Sequence, residues 1–314
     1  MTDSPWSGLG WDSWSDLAQI LSMLDAGANP NGGLHGGALP LHRAAEEGSP
    51  DVVAELAVRV EGVDAFHEGY TALWAAVFYN RPDNVRALAA AGADPWLPMQ
   101  RGWSPGRLAL AGSTPDLFPL PADVPGLSET ESEFAALVHS LITAVGTIPD
   151  DGHSLVCVAG VTAEEAVRRL GASIADPEDV ASVQEDPWAD DELSLRIVGV
   201  TDVPGGCVVS QPWGYGADDP GALVRLSAGT VCYGMYANPK SGNQGIEAEN
   251  GVIVDSDTHP GWGPAWWECP AEEIFASYLY HGHPEVELCA RAGLRLPDAR
   301  AITGTPDLWV LLPR

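Results

Sequence analysis

An internal repeat of 32–33 residues is the feature of this sequence that most restricts its fold. Three segments align, and they begin at positions 39, 71 and 104: Leu39-Pro40-Leu41-His42-Arg43-Ala44-Ala45, Thr71-Ala72-Leu73-Trp74-Ala75-Ala76-Val77 and Ser104-Pro105-Gly106-Arg107-Leu108-Ala109-Leu110. A second element recurs two periods apart, as Gly27-Ala28-Asn29-Pro30 and Gly92-Ala93-Asp94-Pro95. A period of this length predicts small units that each leave one apolar face open and bury it by stacking on a neighbour.

The repeated unit resembles the ankyrin repeat, a helix-turn-helix that opens with T-P-L-H-x-A-A and closes with G-A-D-P. The resemblance covers residues 11–118 and implies an all-α solenoid with a concave surface for a protein partner. Pro40 and Pro105 suit the first turn of a helix, where a missing N–H costs nothing. Two departures stand out. The histidine of the motif remains only as His42, and the middle turn, from Gly62 to Gly69, is short.

A proline-rich stretch, which contains Pro115 and Pro125, ends the repeats. It is followed by Ser128-Glu129-Thr130-Glu131, which predicts a capped helix start, and by apolar residues along one helical face up to Val145. We therefore assign residues 119–147 to a proline-rich linker and a capping helix. Because a terminal repeat needs a cover, we expect this helix to pack on the last repeat.

Residues 148–314 are predicted to form an α+β domain with a mainly antiparallel sheet. Short apolar runs predict strands at residues 155–158, 195–200, 207–210, 231–236 and 251–254. Helices are predicted at residues 162–171, 221–226, 271–280 and 285–292. This half resembles a bacterial domain family that carries no assigned function, so the resemblance implies a fold unit and no mechanism.

Composition narrows the classes of partner. The formal net charge is −29, which repels nucleic acid and anionic membranes and favours encounter with a basic protein. The composition is rich in Ala, Gly and Pro and favours Arg over Lys, so an acidic bacterial proteome explains the charge better than a particular task does. The five cysteines are odd in number and scattered, and the amino terminus lacks a secretory pattern. We expect a soluble cytoplasmic protein with reduced thiols and no bound cofactor or metal.

The repeats lead us to predict a non-enzymatic protein that binds a partner through the ankyrin surface. The predicted partner-binding residues lie on the first helices or beside the last projecting turn: Glu46, Glu47, Trp74, Phe78, Tyr79, Trp96 and Trp103. A more specific hypothesis is immunity-like neutralisation of a basic toxin or antagonist.

The alternative is an enzyme with a small-molecule site in the second domain. Large aromatic residues that could line such a pocket are Trp213, Tyr215, Trp262, Trp266 and Trp267. Packing of the domain's own core would explain the same residues. The sequence contains no P-loop, nucleophile elbow or dinucleotide fingerprint, so we assign no catalytic residue. His281, His283 and Glu285 alternate as metal ligands could, but a helix-helix turn explains them better.

Overall fold

A computed structural model describes residues 6, 8–34, 37–148, 152–262 and 269–314. The chain divides into two compact units. The repeat unit comprises Met1–Glu133 and Pro264–Leu279, and the sheet unit comprises Phe134–Gly263 and Tyr280–Arg314. The repeat unit thus includes a second segment, which the sequence places in the domain predicted at residues 148–314.

Short helices form two rows in the repeat unit. They are α1 (Leu17–Asp25), α2 (Pro40–Glu47), α3 (Pro50–Ala57), α4 (Ala72–Phe78), α5 (Pro82–Ala90) and α6 (Pro105–Ala109). In the first row α2 contacts α4 and α4 contacts α6, while in the second row α1 contacts α3 and α3 contacts α5. A 3₁₀ turn over Trp11–Ser15 contacts α2 and stands where a further helix of the first row would begin.

The helix starts follow from local sequence. Proline occupies the first turn of α2, α3, α5 and α6, where its fixed φ suits a helix and its missing N–H is not needed. Thr71 caps α4, because its hydroxyl accepts a hydrogen bond from the Trp74 amide at 3.3 Å. Ser49 and Ser104 cap α3 and α6 in the same way.

A buried amide joins the first two full repeats. Asn84 on α5 is 2% exposed, and its Nδ2 donates to the carbonyl oxygens of Ala44, Ala45 and Gly48 at 3.0–3.3 Å. These carbonyls lie at the end of α2, where the last turn of a helix leaves its acceptors without intrahelical donors. One side chain therefore satisfies the helix end and fixes the spacing of neighbouring repeats.

The sheet unit contains one eight-stranded sheet with the order β2-β8-β3-β4-β1-β5-β6-β7, and its strand pairs are antiparallel. The strands are β1 (Ser154–Ala159), β2 (Ser173–Ile174), β3 (Ile197–Val203), β4 (Gly206–Gln211), β5 (Val231–Asn238), β6 (Gly242–Glu249), β7 (Val252–Thr258) and β8 (Leu308–Leu311). The helices are α7 (Glu129–Val145), α8 (Ala163–Leu170), α9 (Pro177–Glu185), α10 (Asp191–Arg196), α11 (Pro220–Leu226), α12 (Ala271–Tyr280), α13 (Pro284–Arg291) and α14 (Arg300–Thr303), of which α7 and α12 each include residues of both units.

The central strand β1 is covered on both faces. Val156 and Val158 belong to a core cluster with apolar residues of α8 and α11. On the opposite face, the Cys157 sulfur lies 3.5 Å from the sulfur of Cys289 on α13. Because successive side chains of a strand alternate between faces and both faces are covered, residues 155–159 of this strand are all apolar. The predicted fold class, an all-α repeat region followed by an α+β region with a mainly antiparallel sheet, agrees with these elements.

The second half differs from the prediction in several places, and the elements that were not predicted include β2, β8, α9, α10 and α14. The strand predicted from residue 195 begins at Ile197, because the Asp190 side chain caps a helix at the Leu193 amide and that helix continues to Arg196. Strand β6 was not predicted. Its Gly-, Asn- and Gln-rich sequence has low strand propensity, and its pairing with β5 and β7 on either side holds it. In the part of the chain that is described, no helix is long and apolar enough to cross a membrane.

Candidate interaction surface of the repeat unit

The aromatic residues of the last repeats are covered by a segment that lies far along the chain. Trp103 stacks on Phe275 with ring centroids 4.8 Å apart and planes 4° apart. Its Nε1 donates to the Ala271 carbonyl at 2.9 Å. Nearby, Phe78 of α4 lies 5.9 Å from the ring of Tyr278, and burial raises the pKa of that phenol. Residues 269–279 therefore occupy part of the surface on which the prediction placed a partner.

A cation reinforces this covered end. The Arg107 guanidinium lies 4.1 Å from the centroid of the Trp103 ring. Its Nη2 also donates to both carboxylate oxygens of Glu131, at 2.9 and 3.0 Å. Glu131 lies in the first turn of α7, so this turn of the predicted capping helix contacts the last repeat, α6.

The first repeats present a polar group instead, which we call the Glu46 cluster: Arg43, Glu46, Glu47, Tyr70 and Tyr79. Arg43 bridges two carboxylates, at 3.3 Å from Glu46 and 2.7 Å from Glu47. Tyr70 donates from its hydroxyl to Glu46 at 3.4 Å. Tyr79 reaches the surface with 37% of its area exposed.

Burial controls the electrostatics of this cluster. It raises the pKa of Glu46 to about 7, although the Arg43 guanidinium acts in the opposite direction. It also raises the pKa of Tyr79 to about 12, with Glu46 as a further cause. The Glu46 carboxyl is therefore harder to ionise than an exposed one, and the Arg43 guanidinium 3.3 Å away offsets part of that cost.

The predicted partner-binding residues fall into two groups. Trp74, Phe78 and Trp103 are at most 2% exposed, and Glu46 is also buried. Glu47 and Trp96 are half-buried, and Tyr79 is exposed. Glu46, Glu47 and Tyr79 come together in the Glu46 cluster. Trp96 instead packs 6.5 Å from Phe118, and Trp103 faces residues 269–279.

Trp213 and Trp262, two described members of the proposed second-domain pocket, lie in different parts of the sheet unit. Trp213 stacks 5.5 Å from Trp309 on β8, and its Nε1 donates to the Ser194 carbonyl. Trp262 is 67% exposed and lies near Gly242, at the start of β6. Strands β8 and β6 are five positions apart in the sheet, and neighbouring strands are separated by ~4.8 Å.

The remaining members of that proposed pocket are placed as follows. Tyr215 is exposed and lies 5.8 Å from Tyr236. Trp266 and Trp267 fall outside the described residues. The described members therefore occupy separate places in the sheet unit.

The sheet unit contains a buried ion-pair geometry that the sequence did not predict. Glu285, singled out for its spacing from two histidines, lies 3.1 Å from Nε2 of His153. Both residues are buried, and they lie 132 positions apart. No local pattern in the sequence indicates such a pair. Asp218 differs, because its Oδ1 is buried and no described residue hydrogen-bonds to it. Burial raises its pKa to about 8.

The comparison with known protein families agrees with the geometry of the repeats. A family model described as ankyrin repeats (3 copies) matches residues 13–98. The N-terminal third of the chain therefore consists of ankyrin repeats, as its resemblance implied. No curated protein matches this chain. The likeness of residues 148–314 to a bacterial domain family stays a prediction.

Proposed function

Because residues 13–98 are ankyrin repeats, we propose that this chain is a non-enzymatic interaction protein that binds a basic protein partner through the first repeats. The Glu46 cluster carries the proposal. It combines a buried carboxyl group, a second carboxylate on Glu47 and the exposed ring of Tyr79. An aromatic ring beside carboxylates supports binding of an arginine or lysine side chain through ion pairing and cation–π contact.

The proposal places the partner on the first repeats because aromatic residues of the last repeats are already covered. Trp103 and Phe78 already contact residues of the same chain, so a partner gains little from them without displacing residues 269–279. The Glu46 cluster consists of residues of the first repeats and includes none of residues 269–279. The net charge of −29 supports the choice of a basic partner, since it accelerates encounter with a positively charged surface.

A matched pair of charge reversals tests the site. Glu47→Lys changes the cluster, and Glu55→Lys makes the same change of net charge on α3, where Glu55 pairs with Arg59. A partner captured on the immobilised full chain would be identified by mass spectrometry, purified and titrated against both variants. We expect Glu47→Lys to weaken binding by about tenfold or more and Glu55→Lys by less than threefold. Equal effects would show that only net charge matters, and the cluster would then not be the site.

The immunity-like version of the proposal makes a further demand. The partner should arrest growth when it is produced alone, and co-production of this chain should restore growth. Association should slow steeply as salt rises, because the encounter depends on exposed charges. A partner that is harmless when produced alone, or an association rate independent of salt, would exclude neutralisation of a basic toxin while leaving simple partner binding in place.

We also propose a cytoplasmic location. Cys157 and Cys289 are free thiols 3.5 Å apart, and such a close pair stays reduced most readily in a reducing compartment. The alternative of an enzyme in the sheet unit lacks a comparable observation, because Trp213 and Trp262 lie in different parts of the sheet.

A further inference from the structure

A cavity of about 220 Å³ lies in the first repeats, between α2 and the turn that follows α3. An apolar cavity of ~150 Å³ is enough to hold a benzene ring, so this one has room for a ring of one or two cycles. Its lining is mostly apolar and includes Leu41, Val60, Val63 and Ala65, together with the polar side chains of Asn31 and His42.

One buried polar side chain of the lining lacks a hydrogen bond on one of its two nitrogens. His42 is 2% exposed, and its Nε2 lies 3.1 Å from the Tyr70 carbonyl. A carbonyl only accepts, so Nε2 must carry the proton and Nδ1 must present a lone pair. Burial lowers the pKa of His42 to about 4, which keeps the ring neutral at physiological pH. Among the described residues, none hydrogen-bonds to Nδ1.

The third repeat shows what the equivalent place contains. Its turn Gly92-Ala93-Asp94-Pro95-Trp96 corresponds to Gly27-Ala28-Asn29-Pro30-Asn31, so Trp96 takes the place of Asn31. Gly106 similarly takes the place of Leu41. Trp96 lies so close to α6 that a Cβ added at Gly106 would be 2.9 Å from its ring.

The first repeat therefore has a different arrangement at these two places. Asn31 accepts a hydrogen bond from the Glu61 amide at 2.9 Å, and both Asn31 and Leu41 line the cavity. The indole of the third repeat thus lies beside a glycine, whereas the cavity of the first repeat is bordered by the Leu41 side chain.

We propose that this cavity binds a planar aromatic ring that carries one N–H or O–H donor, with the donor bonded to His42 Nδ1. The class includes phenols and indoles. The ring contacts the apolar lining, and its donor satisfies a buried acceptor that is costly to leave without a partner. The ring comes either from a small molecule or from a tyrosine or tryptophan side chain of a protein. The inference does not depend on the Glu46 cluster.

The donor is tested with two ligands and one variant of the full chain. Phenol and anisole have similar rings, but only phenol donates. The variant His42→Leu removes the acceptor at Nδ1 together with the donor for the Tyr70 carbonyl, and its binding of anisole reports whether the cavity persists. Binding is followed by methyl NMR of Leu41, Val60 and Val63. We expect phenol to bind the natural protein about tenfold more tightly than anisole, and this preference to fall below threefold in the variant. No saturable phenol binding, or the same preference in both proteins, would overturn the proposal.

The location is tested by filling the cavity. Asn31→Trp introduces an indole into the lining of the cavity, and Asn31→Ala removes the same hydrogen bond without filling the space. We expect phenol binding to be lost in the first variant and retained in the second. Ala65→Phe, at an exposed position of the lining, provides a second filling variant if Asn31→Trp does not fold. Phenol binding that survives filling would place it elsewhere and refute the inference.

The source of the ring is distinguished with N-acetyl-tyrosinamide. This compound carries the same phenol on a peptide backbone. If it binds with the same dependence on His42, the cavity accepts a protein side chain. If only phenol and indole bind, the cavity is a small-molecule site. Both results support an aromatic donor ligand, whereas binding of none of the three would reject it.

Discussion

The two units are held together over different distances along the chain. In the repeat unit, Asn84 bonds to carbonyls 36–40 positions away, which is about one repeat. In the sheet unit, β1 and α13 are joined by His153 with Glu285 and by Cys157 with Cys289, and each pair spans 132 positions. The contacts of Asn84 hold adjacent repeats together, whereas the contacts between β1 and α13 join elements that lie far apart in the sequence. Damage should therefore stay local in the first unit and spread in the second.

The largest effect is expected from His153→Leu. Glu285 would then remain buried without its partner, which costs about 3–5 kcal/mol of unfolding free energy. Hydrogen exchange measured by mass spectrometry should accelerate in both β1 and α13 and in the strands beside them. The double variant His153→Leu/Glu285→Leu removes both groups and should recover most of the stability. A single variant within 1 kcal/mol of the natural protein in urea unfolding would mean that the pair does not join these elements.

A smaller and more local effect is expected from Asn84→Leu. The carbonyls of Ala45 and Gly48 would lose this donor and that of Ala44 would keep only the Gly48 amide, at a cost of about 2–3 kcal/mol. Exchange should accelerate in α2, α3 and α5 and stay unchanged in the sheet. Asp83→Asn, on the exposed side of the same helix, is the control and should change little. Acceleration that reached the sheet strands would contradict the local character of this contact.

The smallest effect, a gain, is expected from Asp218→Asn. Burial raises the pKa of Asp218 from 3.8 to about 8, so between these values the folded protein holds a proton that the unfolded chain releases. The stabilisation that this bound proton provides is therefore fully present below pH 4 and is lost as pH rises to 8. The variant should match the natural protein near pH 4 and exceed it by about 1–2 kcal/mol at pH 8, a figure reduced for partial exposure.

Thermal unfolding across this pH range provides the measurement for Asp218. Asp257→Asn, with its side chain 96% exposed, is the control and should follow the natural protein. If the natural protein and Asp218→Asn keep the same difference in stability as pH rises, the Asp218 carboxyl ionises normally and the prediction is wrong.

The same contrast in distance explains what the sequence could predict. The helices α2, α4 and α6 begin at residues of the repeated motif, so their caps and prolines are visible in the sequence. Helix α8 was equally readable, because Thr162 caps its start and Gly171 ends it with a positive φ of 66°. Strand β6 was not readable, since its pairing with β5 and β7 holds a polar sequence in place.

The candidate site follows the same rule. Glu46, Glu47 and Tyr79 lie near one another because equivalent positions of adjacent repeats are neighbours. The burial of Trp103 could not be predicted from the repeats, because Ala271, which accepts its hydrogen bond, lies 168 positions away. The cavity beside His42 could not be predicted either, because it depends on Asn31 at the place where the third repeat has a tryptophan.

The distance between Trp103 and its cover also has a consequence for biosynthesis. The ribosome must add 168 residues after Trp103 before it reaches Ala271. At 5–20 residues per second, that interval lasts about 8–34 s. During this time the last repeat has its indole and the neighbouring Phe78 ring uncovered while later residues are still being made. The nascent chain thus passes through a stage in which a chaperone that recognises exposed aromatic residues has a ready target.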